Sequence, residues 1–179
     1  RRCVGARLFC FVLFCFVLTV ADTALLLFLT ASRHADLRNM QAIPRANGTT
    51  ELSMGAHKGD LWGEKFMSKW LPEAPAHLML RLARLVRNKP FVPYAELYTA
   101  IRPLGLTCHS LRRGAATILA TAGWANEELE LLTAHSNPEV QRRAIRRYVS
   151  KHPSQPEPRA ILRMVSFLLQ QLYSPPTRR

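Results

Sequence analysis

The chain has 179 residues, enough for one domain and short for two. Apolar residues make up 48%, which supplies a core and excludes wholesale disorder, while 8 Gly and 12 Pro exclude a collagen-like or low-complexity design. Lys plus Arg total 25 against 12 Asp plus Glu; a net charge of +13 and a pI near 10.6 point to a polyanionic partner, either nucleic acid or an acidic membrane face.

The four cysteines are Cys3, Cys10, Cys15 and Cys108. None forms a CxxC pair, so the usual paired spacing of a zinc site is missing and no metal is expected. Reduced, buried thiols and an intracellular setting are the expectation.

Leu8–Val20 reads LFCFVLFCFVLTV, a run shorter than the roughly 18–20 apolar residues of a membrane span. Arg1, Arg2 and Arg7 before it and Thr19-Val20-Ala21 behind it are also what a signal peptide would show. The rival reading is a buried helix, in which Ala24–Leu29 leads into Ser32-Arg33-His34-Ala35-Asp36-Leu37. The chain opens on Arg rather than Met and is expected to be a fragment.

Next comes a small antiparallel sheet. Asp36–Ile43 ends at Pro44, Asn47-Gly48 is a turn signal, Thr49–Met54 is β-prone, Lys58-Gly59-Asp60 reads as a second turn, and Lys65–Trp70 is strand-like. Pro72 and Pro75 close it. Ala76–Asn88 predicts an amphipathic helix, with leucines at 78, 80, 82 and 85 and arginines at 81, 84 and 87 on another face. Tyr94–Ile101 predicts a short helix.

Thr107 can cap the next helix and Gly123 can end it, with Leu111, Ala115, Ile118 and Ala122 as its apolar stripe and His109 and Arg112 on a different face. Asn126 can cap a helix over Glu127–Ala134. Ser136-Asn137-Pro138-Glu139 opens another that runs to about Lys151. Arg142, Arg143, Arg146 and Arg147 crowd it, and Val140, Ala144 and Tyr148 form one stripe. Pro153, Pro156 and Pro158 mark a linker before a last amphipathic helix, Arg159–Tyr173, and a basic tail. The fold class expected is mainly α with a small antiparallel β-sheet.

An HxxR pair such as His109–Arg112 is weak by itself. Its setting is more specific. Thr107-Cys108-His109-Ser110-Leu111-Arg112-Arg113-Gly114-Ala115-Ala116-Thr117, then Ala122-Gly123-Trp124, then Leu131-Leu132-Thr133-Ala134-His135-Ser136, then Arg147-Tyr148, resembles the catalytic core of tyrosine recombinases, the phage-type integrases. Thr30-Ala31-Ser32-Arg33 followed by Ala35-Asp36-Leu37 resembles the family's first-arginine motif, and Lys58 stands on the turn where the family carries its lysine. The resemblance covers about residues 22–150, which implies a catalytic domain over 22–152, with 1–21 as an apolar extension and 153–179 as linker, helix and tail.

It implies a DNA breaking-rejoining core that works by transesterification through a covalent 3′-phosphotyrosine. Arg33 and Arg112 would clamp the non-bridging oxygens of a phosphodiester, because two guanidiniums stay charged and bind bidentately. Tyr148 would be the nucleophile, Lys58 the acid for the leaving 5′ oxygen (Lys65 or Lys69 could serve instead), and His109 and His135 would orient phosphate and move protons. Arg113, Arg142, Arg143, Arg146 and Arg147 are candidate DNA contacts. The resemblance further implies no cofactor, double-stranded DNA as partner, self-association as a tetramer on DNA, and a nuclear or nucleoid setting.

There are departures from the pattern. Ala134 stands where glycine is usual, Asp36 replaces the commoner glutamate, and Tyr148 follows His135 by thirteen residues, further than in most members. The family's N-terminal DNA-clamping domain has no counterpart here, as expected of a mobile-element recombinase fragment. Every residue named also has a plainer reading: Arg33 as a solvated helix end, His135 as a partner of a helix dipole, Tyr148 as a helix-stripe core residue, and the arginine cluster as a solvated face. Two alternatives to the enzyme stand beside it: an inactive DNA-binding relic of the same fold, and a basic membrane-associated or secreted protein.

Overall fold

The computed structural model describes residues 2–54, 68–73, 75–133 and 158–173, with the side chains of the first helix described from Phe16. That helix, α1, runs Arg2–Thr30 without a break. No proline interrupts it, and apolar residues surround its whole circumference, which leaves burial as the way to satisfy its described C-terminal half. Leu26, Leu27 and Leu29 are fully buried, whereas Phe16 and Val17 are exposed. The polar residues of the buried half are paired. Thr30 Oγ1 donates to the Leu26 carbonyl at 2.7 Å, and Asp22, which interrupts the apolar run in sequence, accepts from Arg81 Nε at 3.1 Å and from its Nη2. Among the described residues no helix is long and apolar enough to cross a membrane.

The chain leaves α1 through Ala31, which takes the left-handed conformation with φ 46°. A 3-10 helix, His34–Asn39, delivers it to β1 (Met40–Pro44). β2 (Thr50–Met54) and β3 (Ser68–Leu71) complete an antiparallel sheet in the order β1-β2-β3, with Ala42 opposite Leu52 and Leu52 opposite Lys69. The β1–β2 turn needs Gly48 at φ +78°, and the Asn47 side chain accepts from the Thr49 amide and hydroxyl.

α2 (Ala76–Asn88) buries Leu78, Met79, Leu82, Leu85 and Val86, while Leu80 is exposed, so the leucine at 80 is not part of the inward face. α3 (Tyr94–Ile101) is short, as expected, and α4 (Cys108–Thr121) and α5 (Asn126–Thr133) come after it. The last described helix, α6 (Pro158–Tyr173), buries Ile161, Met164, Val165, Leu168 and Leu169 against β3, α1, α4 and α5. The described chain is thus mainly helical with a small three-stranded antiparallel sheet.

One pattern differs from expectation. The buried residues of α4 are Cys108, Arg112, Ala115 and Leu119, so Arg112 lies on the inward face with Ala115, while His109 and Ala122 are exposed. Leu111 and Ile118 pack half-buried at the edge of the core. Arg112 is drawn inward by α5, whose Thr133 carbonyl accepts from its Nη2, on a face that sequence periodicity reads as outside.

Candidate functional site

Two local structures set the site. The first is the start of α4. Thr107 is extended (φ −127°, ψ 162°), its hydroxyl accepts from the Ser110 amide at 3.0 Å, and the Ser110 hydroxyl accepts from the Thr107 amide at 3.1 Å. This reciprocal cap fixes the helix start at Cys108 and so sets the phase of every later side chain on α4. His109 falls on the exposed first turn and Arg112 on the buried side one turn on. The second is the cap of the 3-10 helix, where the Arg33 amide donates to Asp36 Oδ2 at 2.9 Å. Asp36 is thereby buried with its carboxylate held in place, and the Arg33 side chain is half-buried beside it.

These two structures meet at β3. Arg112 is 5% exposed and Lys69 1%, both very low for cations. Arg112 Nη2 donates to the Thr133 carbonyl and Lys69 Nζ donates to the Leu132 carbonyl, so two cations hold consecutive carbonyls at the C-terminal end of α5. Carbonyls in the last turn of a helix carry partial negative charge, which favours cations there.

The electrostatics show which groups sense one another. Burial lowers the Lys69 pKa to about 7, the positive charge of Arg112 adds to that fall, and Asp36 opposes it. Burial also lowers the Arg112 pKa; next comes the charge of Arg33, with Asp36 again opposing. Arg112 thus senses Arg33 and Asp36, and Lys69 senses Arg112 and Asp36. Among the described residues, three basic side chains share one buried carboxylate, a charge balance that suits an anion. One of the five N–H donors of Arg112 is engaged with Thr133, and a guanidinium can use its other donors on an oxyanion.

The remaining candidates divide cleanly. Arg113 is exposed next to this cluster in sequence, and His109 is exposed at the start of α4. Lys58, His135, Tyr148, Arg142, Arg143, Arg146 and Arg147 lie outside the described residues. His34 sits beside Arg33 in sequence but serves as a brace: its Nε2 donates to the Val92 carbonyl at 2.7 Å, and its ring meets Tyr94 edge-on at 5.7 Å. Cys108 is a buried free thiol whose pKa is pushed up by burial, as an unreactive cysteine's is. Among the described residues no three His, Cys, Asp or Glu side chains gather as a metal site would require.

Sequence reasoning reaches Lys69 only as a substitute for Lys58. Its burial has one faint signal in the sequence, a lysine directly before Trp70-Leu71 in a short strand, and it becomes visible only once the Leu52–Lys69 register is known. Compared with protein-family models, curated proteins and solved structures, the chain matches none.

Proposed function

We propose that this chain is the catalytic unit of a tyrosine recombinase, a DNA strand transferase working through a 3′-phosphotyrosine. The observation that carries the reading is geometric: Arg112 on α4 and Lys69 on β3 are buried together on the adjacent Thr133 and Leu132 carbonyls, and Asp36, held by the Arg33 amide, lies near enough to act on both cations. Arg33 and Arg112 come to this one place from positions 79 apart in the chain. Order along the chain and electrostatic proximity are separate facts, and both suit a phosphodiester grip.

In this reading the two guanidiniums bind the non-bridging oxygens of the scissile phosphate, where charge builds during attack. The Tyr148 oxygen forms a bond to phosphorus as the bond from phosphorus to the 5′ oxygen breaks. The phenol proton leaves to a base, for which His109 and His135 are the candidates, and Lys58 gives a proton to the departing 5′ oxygen. The phosphodiester becomes a phosphotyrosine diester, so bond energy is retained and a 5′ hydroxyl can reverse the step on another strand. Double-stranded DNA is the partner, in the nucleus or nucleoid, with self-association on DNA as the proposed assembly.

The test is incubation with a nicked duplex that releases a short 5′-hydroxyl fragment, which traps the covalent intermediate. The wild-type protein should give an adduct stable to denaturation, and Tyr148→Phe should give none while still binding the duplex. Binding without an adduct in the wild-type protein would overturn the enzyme and leave the inactive DNA-binding relic.

A further inference from the structure

The strongest feature left unused by that reading is the pair of donors on the end of α5. We infer that Lys69 is a positioning residue: by holding the Leu132 carbonyl next to the Thr133 carbonyl that Arg112 holds, it fixes α5 and, through it, the Arg112 guanidinium. The role assigned to Arg112 rests on the reading above; the holding of α5 does not.

The geometry is specific. Lys69 comes from the edge strand β3 and Arg112 from α4, two elements distant in sequence, yet they reach adjacent carbonyls of a third. α5 is short, Asn126–Thr133, and a helix of two turns has little stability of its own. Its end must be held by tertiary contacts, and a charge-assisted hydrogen bond is the strongest single contact of that type. A lysine in a buried position is also costly, so a fold keeps one where its donor is needed. Among the described residues, Arg112 from α4 and Asp36 from the 3-10 helix act electrostatically on Lys69. Glu51 on the neighbouring strand accepts instead from Arg45 and Ser68, Glu128 of α5 accepts from the Ala125 amide, and Arg163 of α6 lies over the Trp124 ring. None of these three replaces the lysine on the α5 carbonyls.

Lys69 is placed to act through α5 rather than to touch DNA, since it is buried within the protein. Its loss should therefore separate binding from chemistry. The experiment compares wild type, Lys69→Met and Lys69→Arg by hydrogen exchange and by the nicked-duplex assay. At pH 6, where Lys69 carries its proton, the amides of residues 129–133 in Lys69→Met should exchange at least about tenfold faster, the size of one charge-assisted hydrogen bond, while those of α2 keep their protection. Its affinity for the duplex should stay within about twofold of wild type while adduct formation slows about tenfold or more. Lys69→Arg, which keeps a cationic donor, should restore both exchange and adduct rate at least in part, and it serves if the methionine variant does not fold. Unchanged α5 exchange in a folded Lys69→Met protein would overturn the inference whether or not DNA is cut. Faster exchange with no adduct from any form, wild type included, would leave the holding of α5 standing and remove the recombinase reading.

Discussion

The Arg33 amide donates to the Asp36 carboxylate at 2.9 Å, and that same buried carboxylate raises the pKa values of both Lys69 and Arg112. A backbone cap thus holds the counter-charge of the site. Asp36→Asn keeps an oxygen for the Arg33 amide but removes the charge. We expect a loss of about 1–3 kcal/mol in stability, because buried cations lose their compensation. The Lys69 pKa should fall below 7. Urea unfolding at pH 7, with an NMR titration of the lysine side chain, checks both.

The Lys69 pKa has a second consequence, for stability against pH. Burial lowers it from 10.5 to about 7 in the folded protein. Between those values the unfolded chain binds a proton that the folded chain has released, so this group makes stability rise with pH. Its contribution is complete above pH 10.5 and is lost as pH falls to 7, with a slope of roughly 1 kcal/mol per pH unit inside the window. Denaturant midpoints at pH 7, 8 and 9 should climb in wild type, and Lys69→Met should flatten that climb.

Two glycines predict effects of opposite sign. Gly114 lies inside α4, and a Cβ built there meets Phe28 Cε2 of α1 at an ordinary 3.8 Å. Gly114→Ala should stabilise by roughly 0.5–1 kcal/mol, through helix propensity and a new contact. Gly123 ends α4 at φ +85° with open space around it, so Gly123→Ala should cost about 1 kcal/mol purely in backbone conformation. Thermal unfolding of both variants decides the matter.

DNA binding should weaken steeply with salt, since a chain of charge +13 displaces counterions from phosphates. Arg113 is exposed beside the site in sequence. If it contacts a phosphate, Arg113→Ala reduces the slope of log affinity against log salt by about 1. Fluorescence anisotropy with a labelled duplex over a range of salt concentrations measures this.

Much of the fold is legible in the sequence because local signals are strong there. Helices α2, α3 and α4 and strand β2 begin and end within a residue or so of where caps, prolines and glycines place them. The hidden part depends on tertiary contacts. Asp22 reads in sequence as a break in an apolar run and is instead the partner of Arg81 on α2. Arg112 shares a helical face with His109 by sequence spacing, yet the arginine is buried on the Thr133 carbonyl of α5 and the histidine is exposed. Lys69 is obscured for the same reason: a lysine in a short strand reads as solvated until the sheet register and α5 are known. The charge cluster itself joins positions 33, 36, 69 and 112, a set that no local pattern in the chain brings together.

The proposed chemistry comes down to a phosphate gripped by Arg33 and Arg112 under attack by one particular phenol. The chain has four tyrosines, at 94, 98, 148 and 173. Tyr94 and Tyr98 stack on one another at 6.4 Å on α3, Tyr94 also meets the His34 ring edge-on, and Tyr173 ends α6 near Arg81. The most direct measurement is mass spectrometry of the tryptic peptide that carries nucleotide after the trapped complex is digested with nuclease. A 3′-phosphonucleotide on Tyr148, lost in Arg112→Ala, is the expected result. Nucleotide on Tyr94, Tyr98 or Tyr173, or on Tyr148 at an undiminished rate in Arg112→Ala, would contradict the recombinase reading.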